Sequence, residues 1–501
     1  MSAVRVAVAG AGPAGCYAAY KVATRIPRAH VDLLESLPSP YGLVRYGVAP
    51  DNSETKAVES SLHSHLSRPN IRLLANITIG SDISVNELRS LYHAVILATG
   101  SQSEKPLNIP NESPPRTHSV ISSKQLVGWY NGHPHDVHSL QSREIATKLS
   151  HARSVAIIGL GNVSIDCARM LLRSPSELQF TDICSHALDA LTHSSVKRVI
   201  LIGRRGPAQA SYTAREVREA VQLNGVQAMS PHDELHDSIT DADAHELSRD
   251  RARRRAHEAL TKHAVDCDLS KSQSDAFSFN HNPSNAKELH FRFLRSPVSF
   301  ELPDPDTHPD HHHLGLLHGV RLERNELKGD AFSRKAVPTG DTSEVVPCEL
   351  AIRSIGYKSQ PVDDGVPFDH TQGRVQHTGG RVDGSKPSIG LCPLYACGWL
   401  KRGPTGVIST NVMDAEDTAS TVADDLVGDG DERDASCDDG DHAAGGARSI
   451  DDLLDQRGVR PVTLDGWHRI DSAEQDAGRA RGAPREKVVT VEQMLKIARS
   501  Q

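Results

Sequence analysis

Two glycine-rich segments of this chain have the residue types and spacing of a dinucleotide-binding turn. The first is Gly10-Ala-Gly-Pro-Ala-Gly15, after the apolar run 4–9, and the second is Gly159-Leu-Gly-Asn-Val-Ser164, after the apolar run 154–158. One such segment is a weak signal, but two, each behind a predicted strand, indicate two dinucleotides bound by one protein. A nicotinamide and a flavin held side by side exchange a hydride, and this is the chemistry that the pattern favours.

The first segment is typical of a site for an adenosine with a free 2′-hydroxyl. Gly10 permits the tight turn out of the strand, Gly12 lets the backbone approach a pyrophosphate, and Gly15 lets the next helix pack close to the strand. A second strand, predicted over 30–34, is followed by Glu35, twenty residues after Gly15. A carboxylate at that place accepts hydrogen bonds from ribose hydroxyls, which predicts FAD or NAD as the ligand.

The second segment is followed by basic residues where the first is followed by an acid. The strand predicted over 198–203 is followed by Arg204 and Arg205, and no acid stands at its end. Two guanidinium groups bind a 2′-phosphate through charge-assisted hydrogen bonds, so this site predicts NADPH rather than NADH. Taken alone, the arginine pair also fits a solvated turn. Residues 171–195 lengthen the unit and are predicted to form a helical insertion.

Composition places the chain among globular proteins with several domains. Its 501 residues suggest two to four domains, with 38% hydrophobic and 24% charged residues. No apolar run approaches the length of a membrane span, and a net charge of −8 argues against a general nucleic-acid binder. The eight cysteines form no CxxC pair, which disfavours zinc, iron–sulfur and thioredoxin-type sites and predicts buried thiols in a reducing compartment.

Strand and helix patterns alternate in both halves, which predicts doubly wound α/β domains. Three segments depart from this alternation. The histidine-rich segment 304–318 is predicted to be a flexible loop, and no metal site is expected there. The acidic segment 424–441 is predicted to be a disordered insertion. The basic segment 248–255 fits either a solvated helix face or a docking site.

Longer motifs make the chain similar to one family. They are Pro40-Tyr-Gly-Leu-Val-Arg-Tyr-Gly-Val-Ala-Pro-Asp51, Val127-Gly-Trp-Tyr-Asn-Gly132, Gly159-Leu-Gly-Asn-Val-Ser-Ile-Asp-Cys-Ala-Arg169, Gly203-Arg-Arg-Gly-Pro207, Ser354-Ile-Gly-Tyr-Lys-Ser359, Gly398-Trp-Leu-Lys-Arg-Gly-Pro-Thr-Gly-Val-Ile408, Arg457-Gly-Val-Arg-Pro461 and Pro484-Arg-Glu-Lys487. The chain resembles the adrenodoxin reductase family, the FAD-containing NADPH:ferredoxin reductases of mitochondrial and actinobacterial type. Similarity spans nearly the whole chain except the histidine-rich and acidic segments.

The resemblance implies two doubly wound dinucleotide-binding domains, with the NADP domain inserted into a discontinuous FAD domain. The expected bounds are 1–103 and 364–501 for the FAD domain and 104–363 for the NADP domain, with a disordered insertion at 424–447. The resemblance also implies site residues. Those for FAD, together with the glycines of the first turn, are Ala14, Glu35, Leu43, Ile79, Trp399, Gly406, Val407 and Ile408. Those for NADP are Leu160, Gly161, Asn162, Val163, Arg204, Arg205, Glu216 and again Gly406.

The resemblance implies that Trp399 and Gly406 shape the place where nicotinamide and flavin stack. It also implies a catalytic carboxylate at Asp166, but here the chain departs from the family. The family has a histidine that pairs with this carboxylate, and the present chain has Asn52 instead. Since asparagine carries no proton near neutral pH, a proton relay through this pair is not expected, whereas hydride transfer is expected to persist.

The implied activity is transfer of a hydride from NADPH to FAD and of single electrons to a [2Fe–2S] ferredoxin that serves cytochrome P450, iron–sulfur or haem synthesis. The family docks its acidic partner on the NADP domain, where this chain has Arg249, Arg251, Arg253, Arg254 and Arg255. A monomer without nucleic acid or a transmembrane segment is expected. The implied location is the mitochondrial matrix or the matrix face of the inner membrane. The lack of a visible transit peptide favours a cytoplasmic alternative.

The sequence is also compatible with two other classes of protein. A disulfide reductase or a glutamate-synthase small subunit shares tandem nucleotide domains, although the missing CxxC pair and the missing cysteine-rich N-terminal region disfavour them. A protein that senses NADPH or acts as a scaffold without turnover is the alternative outside the enzymes. It differs from a reductase in one observable, because NADPH would leave its bound flavin oxidised.

Overall fold

The computed structural model describes residues 4–114, 117–267, 286–384, 390–427 and 449–500. The chain divides into two compact units, one made of 1–105 and 356–501 and the other of 106–355. The first unit is therefore discontinuous in sequence, and the chain leaves it once and returns to it once.

Short strands account for most of the β-structure. In the described residues they are β1 (Val4–Ala9), β2 (Ala29–Glu35), β3 (Ile71–Ala75), β4 (Ala94–Leu97), β5 (Ser103–Glu104), β6 (Val120–Ser122), β7 (Ser154–Ile158), β8 (Arg198–Ile202), β9 (Val226–Ser230), β10 (Val265–Asp266), β11 (Lys287–Arg292), β12 (Arg295–Glu301), β13 (Gly319–Lys328), β14 (Lys335–Pro338), β15 (Glu344–Pro347), β16 (Leu350–Arg353), β17 (Tyr357–Lys358), β18 (Phe368–Asp369), β19 (Arg374–Val375), β20 (His377–Thr378), β21 (Arg381–Val382) and β22 (Leu394–Ala396).

The helices of the described residues are α1 (Pro13–Arg25), α2 (Leu43–Tyr46), α3 (Ser53–Lys56), α4 (Val58–Leu66), α5 (Val85–Leu91), α6 (Ser123–Asn131), α7 (Pro134–Val137), α8 (Leu140–His151), α9 (Asn162–Leu172), α10 (Pro175–Leu178), α11 (Ser185–Thr192), α12 (Ala214–Val221), α13 (Asp241–Arg249), α14 (Arg251–His263), α15 (Pro309–His313), α16 (Trp399–Arg402), α17 (Thr410–Val427), α18 (Ile450–Gln456), α19 (Leu464–Ala480) and α20 (Val491–Ala498). A 3₁₀ turn covers Pro207–Gln209 and a π turn covers Asp233–Asp237.

The first unit is built on a seven-stranded sheet in the order β20-β21-β22-β4-β1-β2-β3. Strands β22, β4, β1, β2 and β3 run parallel, and β20 and β21 are antiparallel additions at one edge. Both faces of the sheet are covered, because Val6 and Val8 belong to a cluster with α1, α17 and α19, and Ala7 and Ala9 to a cluster with α5 and α18. Burial on both faces explains why β1 is a nearly continuous apolar run.

The second unit is built on a seven-stranded parallel sheet in the order β10-β9-β11-β8-β7-β16-β6. Helices α6, α8, α9, α12 and α14 cover one face, and the antiparallel sheet formed by β12, β13, β14 and β15 contributes to the other. Helices α10 and α11 lie between α9 and β8, which confirms the predicted helical insertion. Each sheet thus carries its glycine-rich turn at the carboxyl end of a central strand.

The acidic segment differs from the expectation at its start. Residues 424–427 form the last turn of α17 rather than disordered chain, because the Asp425 carboxylate accepts a hydrogen bond from the Tyr395 hydroxyl (2.6 Å) and is paired with Arg381. Residues 428–447 lie outside the described residues.

The histidine-rich segment also differs from the expected loop, since α15 occupies five of its residues. The ring of His308 lies 5.8 Å from that of His311 and 5.3 Å from that of His318, measured between centroids. Even so, no group of three or more His, Cys, Asp or Glu side chains in the described ranges is arranged to hold a metal ion. In those same ranges no helix is long and apolar enough to span a membrane, and the seven described cysteines are free thiols.

Candidate functional site

The first glycine-rich turn joins β1 to α1 in the first unit. Gly10 has φ +109°, and its N–H donates to the Leu34 carbonyl at the end of β2 (2.7 Å). A methyl group on Gly10 would lie 2.6 Å from the Ala98 carbonyl oxygen, where β4 ends. The turn therefore packs against the ends of β2 and β4, and only glycine fits at position 10.

The N-terminus of α1 faces open space. Gly12 precedes Pro13 as the N-cap residue, and no side-chain cap is present there. A methyl group on Gly12 would meet no heavy atom of the described residues within 4 Å. Uncapped N–H groups and the positive end of the helix dipole next to such a space suit a pyrophosphate. The N-terminus of α1 therefore fits the phosphates of a dinucleotide.

Glu35, the last residue of β2, lies against the same turn. Its Oε2 accepts the Ala11 N–H (2.8 Å) and its Oε1 accepts the Leu37 N–H (3.1 Å). Burial raises the pKa of Glu35, and the N–H groups of Leu37 and Ala11 oppose that rise. The Ser36 hydroxyl also donates to Oε1 (3.0 Å), so Oε2 is the carboxylate oxygen that keeps a lone pair for a ribose hydroxyl. The N–H of Ile77 donates to the Glu35 carbonyl (2.8 Å), which brings the segment containing Ile79 to this end of the site.

Two further motifs meet α1 at its N-terminus. The Tyr41 N–H donates to the Ala11 carbonyl (2.7 Å), and a methyl group on Gly42 would lie 3.0 Å from the Gly12 Cα. From the other end of the chain, a methyl group on Gly398 would lie 2.4 Å from the Ala14 Cβ. Close backbone approach at these points places Leu43 and Trp399, the residues that follow, beside the first turn.

The segment from Trp399 to Ile408, which begins with α16, is held by its own hydrogen bonds. The Trp399 Nε1 and the Arg402 Nε both donate to the Thr405 carbonyl, at 3.1 and 3.0 Å. The Trp399 ring also stacks on Tyr357, with centroids 5.6 Å apart. Gly406 has φ +83° and is followed by Val407, which is 53% exposed; Leu43 is 40% exposed. Exposed apolar side chains around a pre-formed loop suit contact with an apolar ring system.

The second glycine-rich turn joins β7 to α9 in the second unit. The Gly159 N–H donates to the Ile202 carbonyl (2.8 Å), and a methyl group on Gly161 would have no described heavy atom within 4 Å. The Leu160 side chain covers Gly203, the Asn162 Oδ1 accepts the Thr213 N–H (2.8 Å), and Val163 packs on the core. The open N-terminus of α9 therefore repeats the arrangement found at α1.

The arginine pair follows β8 at the same end of this sheet. Arg204 is exposed, and its carbonyl accepts a hydrogen bond from the Asn325 Nδ2 (3.1 Å). Arg205 is half-buried, and its Nη2 donates to the Ser211 hydroxyl (2.8 Å). Both guanidinium groups thus lie after the second strand of the nucleotide-binding unit, where a 2′-phosphate is recognised.

A buried arginine joins two of the predicted site residues. Arg169, with no solvent exposure, lies 2.5 Å from the Glu216 Oε2 and 2.8 Å from the Asp166 Oδ1. It connects α9 to the start of α12, where the Thr213 hydroxyl accepts the Glu216 N–H (3.4 Å). Sequence reasoning missed Arg169 as a site residue, although its position three residues after Asp166 on a helix was the available signal.

Asn52, the departure from the family, has a local structural role. It is the N-cap residue of α3, and its Oδ1 accepts the Thr55 N–H (3.3 Å). Asparagine is among the best N-cap residues, so this position is well suited to the residue that occupies it.

The basic segment lies on two helices. Arg249 ends α13, and the other four arginines belong to α14. Arg249, Arg251, Arg254 and Arg255 are exposed, whereas Arg253 is half-buried and bonded to Glu246 (2.6 Å). The arginines therefore do not form one uniform surface.

The whole chain is similar to known proteins. Residues 4–230 match the family described as pyridine nucleotide-disulphide oxidoreductase. NADPH:adrenodoxin oxidoreductase of Arabidopsis thaliana is 39% identical over 99% of this chain and 95% of the relative. The human protein of the same name is 38% identical over 98% of this chain and 91% of the relative.

A bacterial relative is similar to this chain over the same length. NADPH-ferredoxin reductase FprA of Mycobacterium tuberculosis is 34% identical over 98% of both chains. The structure titled as FprA in complex with NADPH has a TM-score of 0.81 with this fold, at 33% identity over 99% of this chain and 100% of that one. The chain belongs to the family of NADPH:adrenodoxin oxidoreductases and NADPH-ferredoxin reductases.

Proposed function

We propose that this protein is an FAD-dependent NADPH:ferredoxin oxidoreductase of the adrenodoxin type. One observation carries the proposal: the chain has two open strand–turn–helix sites that favour different riboses. Glu35, at the end of β2, favours a free 2′-hydroxyl, and the Arg204–Arg205 pair after β8 favours a 2′-phosphate. The names of the relatives, which are NADPH:adrenodoxin and NADPH-ferredoxin reductases, support it.

The first site is proposed to hold FAD. The residues assigned to it are Gly10, Gly12, Ala14, Gly15, Glu35, Leu43, Ile79, Trp399, Gly406, Val407 and Ile408. The open N-terminus of α1 would bind the pyrophosphate, and Glu35 would bind the ribose. When bound, FAD supplies an acceptor that takes a hydride and releases electrons singly, which side chains cannot do.

The second site is proposed to hold NADPH or NADP⁺. The residues assigned to it are Leu160, Gly161, Asn162, Val163, Arg204, Arg205 and Glu216, with Gly406 added by resemblance alone. Arg204 and Arg205 would provide the preference for a 2′-phosphate, because that group is strongly anionic and accepts bidentate hydrogen bonds.

Trp399, Gly406 and Asp166 are proposed as the catalytic residues. The segment around Trp399 and Gly406 is already fixed, so it would hold the flavin ring in the orientation needed for hydride transfer. Such pre-set orientation lowers the activation barrier of the reaction. Asp166 would act through its charge and through its ion pair with Arg169, and no proton transfer to Asn52 is required.

Ferredoxin reduction is the direct test of this function. Purified holoprotein mixed with NADPH and a [2Fe–2S] ferredoxin is expected to bleach the ferredoxin's visible absorbance, and NADH is expected to work far less well. If the ferredoxin stays oxidised while NADPH reduces the protein's own flavin, the proposed electron acceptor is wrong.

The acidic ferredoxin is proposed to dock on the exposed arginines of the basic segment, because a positive patch speeds encounter with an acidic partner. Replacing Arg251, Arg254 and Arg255 by Glu should raise the KM for ferredoxin about tenfold or more at low salt and flatten its salt dependence. The matched control replaces the exposed Arg143, Lys197 and Lys335 by Glu in the same unit. Equal effects of both sets of substitutions would reject the patch as the docking site.

The remaining assignments come from the family. We propose an FAD domain of 1–103 and 364–501, an NADP domain of 104–363, and a monomer that does not bind nucleic acid. The proposed location is mitochondrial, in the matrix or peripherally on the inner membrane, with a cytoplasmic alternative. The electrons would serve cytochrome P450 or iron–sulfur and haem synthesis.

A further inference from the structure

Helix α14 packs against the turn that follows the arginine pair. The turn Pro207–Gln209 begins two residues after Arg205 and contacts both α13 and α14. The Gln209 Nε2 donates to the Asp243 Oδ1 (2.6 Å) and to the Glu246 Oε2 (3.2 Å) of α13. The backbone that carries Arg204 and Arg205 is therefore fixed to the same two helices that carry the basic segment.

Glu246 holds Arg253 at this place. The Glu246 side chain is only 1% exposed; its Oε2 lies 2.6 Å from the Arg253 Nη1, and its Oε1 accepts the Phe332 N–H (2.7 Å). The Asp250 carboxylate lies 3.3 Å from the Arg253 Nε. A guanidinium group has five N–H donors, so Arg253 retains donors for further oxygen atoms while these two carboxylates fix its orientation.

Arg253 also acts on Arg205 through its charge. The pKa of Arg205 lies below its ordinary value, first because the side chain is partly buried and then because Arg204 and Arg253 add positive charge, while Glu246 offsets part of that effect. Three guanidinium groups that repel one another are stabilised when a dianion enters between them. A 2′-phosphate is such a dianion near neutral pH.

We infer that Arg253 is a third cation of the 2′-phosphate subsite, placed there by Glu246, and not part of the ferredoxin-docking face. The inference rests on the proposed function, because it deepens the NADPH preference of that site. It separates the basic segment by role: the half-buried Arg253 serves the nucleotide, and the exposed Arg251, Arg254 and Arg255 are left for the protein partner.

Calorimetric titration with 2′,5′-ADP and with 5′-AMP tests the inference, because the two probes differ only in the 2′-phosphate. In Arg253→Met, the affinity for 2′,5′-ADP should fall about fivefold or more, while the affinity for 5′-AMP should stay within about twofold of wild type. Arg253→Lys keeps the charge and should retain most of the affinity. Arg251→Met and Arg255→Met, on the exposed face of the same helix, should bind 2′,5′-ADP as the wild type does.

The inference is overturned if Arg253→Met binds 2′,5′-ADP as tightly as wild type, if both probes lose affinity equally, or if the KM for ferredoxin rises instead. Far-UV circular dichroism of each variant checks that the fold is intact. Loss of 2′,5′-ADP binding in Arg205→Gln alone would reject Arg253 and leave the proposed function standing. Equal affinity of the wild type for both probes would reject the NADPH preference itself.

Discussion

Glu35 fixes the first glycine-rich turn with both of its carboxylate oxygens, one on the Ala11 N–H and one on the Leu37 N–H. A neutral amide cannot replace it, because one of those N–H groups would then face an NH₂ donor. The charge and the two acceptors together explain why an acid is needed here.

Glu35→Gln should therefore lower the retention of FAD and destabilise the protein by about 1–3 kcal/mol. The measurement is the ratio of FAD to protein after gel filtration, together with the urea unfolding midpoint. Glu326→Gln, at a half-exposed position in the second unit, is the control and should change neither quantity. Full FAD content in Glu35→Gln would contradict the assignment of Glu35 to the adenosine end.

Glu288 provides a prediction about pH. Burial of its carboxylate favours a higher pKa, but hydrogen bonds from His290 (2.9 Å) and Arg198 (2.8 Å) outweigh it and lower the pKa to about 2. Arg198 is its register partner on the neighbouring strand β8. Because the folded pKa is below the ordinary 4.5, the unfolded chain takes up the proton first as the pH falls. The ionised Glu288 therefore contributes its full stabilisation above pH 4.5, and this contribution is lost as the pH falls from 4.5 to about 2.

Glu288→Gln should cost about 1–3 kcal/mol of unfolding free energy near neutral pH, and this difference should shrink as the pH falls below about 4.5. Urea unfolding of both proteins at a series of pH values from about 7 to about 3.5 measures it. A difference that stays constant over this range would show that the carboxylate's charge is not what stabilises the fold.

At the residue scale, the sequence indicates where a side chain lies when that place is set by its neighbours along the chain. Glu35 ends β2, Arg204 and Arg205 come two and three residues after the end of β8, and all three lie beside their turns; their binding roles stay predictions. The ion pair of Arg169 and the proposed nucleotide role of Arg253 were not predicted, because both depend on a carboxylate that another helix supplies. No local pattern shows that Glu246 of α13 is buried against α14.

At the scale of elements, α1 is the centre of the first site. It packs along α17, and its N-terminus meets Gly42 from one motif and Gly398 from another. Gly398 has φ +69° and begins the segment that leads into α16 and Trp399. The position of Trp399 therefore depends on the close approach of the Gly398 backbone to the Ala14 side chain.

Gly398→Ala should destabilise the protein by about 1–3 kcal/mol and lower FAD retention, because the added methyl group overlaps the Ala14 Cβ. Gly482→Ala is the matched control, since Gly482 has a similar φ of +75° but no described heavy atom within 4 Å of the added group. Urea unfolding and FAD content are measured for both variants. Equal losses would mean that backbone conformation alone, and not packing against α1, explains the effect.

The strands that lead into the two glycine-rich turns, β1 and β7, were predicted because burial on both faces leaves a nearly continuous apolar run. The points where helices end in irregular segments were not predicted. α17 extends to Val427 because the Asp425 carboxylate is satisfied by Arg381 and Tyr395, which lie far away in sequence. The short helix α15 likewise interrupts a segment whose prolines and charges favour a loop.

At the scale of the whole molecule, the resemblance inferred from motifs is confirmed by relatives that match over nearly the full length of both chains. The predicted α/β fold with two dinucleotide-binding domains is confirmed as well. Long motifs succeeded where composition could not, because each motif fixes several residues around one turn. The domain bounds and the site residues stay predictions.

The central claim is that one chain binds FAD at the first site and reduces it with NADPH selected at the second. The most direct measurement is an anaerobic titration of the purified protein, first with NADPH and then with NADH, followed in the visible spectrum. The account predicts oxidised-flavin absorbance that NADPH bleaches at much lower concentration than NADH. A protein that takes up no FAD, or a bound flavin that NADPH leaves oxidised, would contradict it.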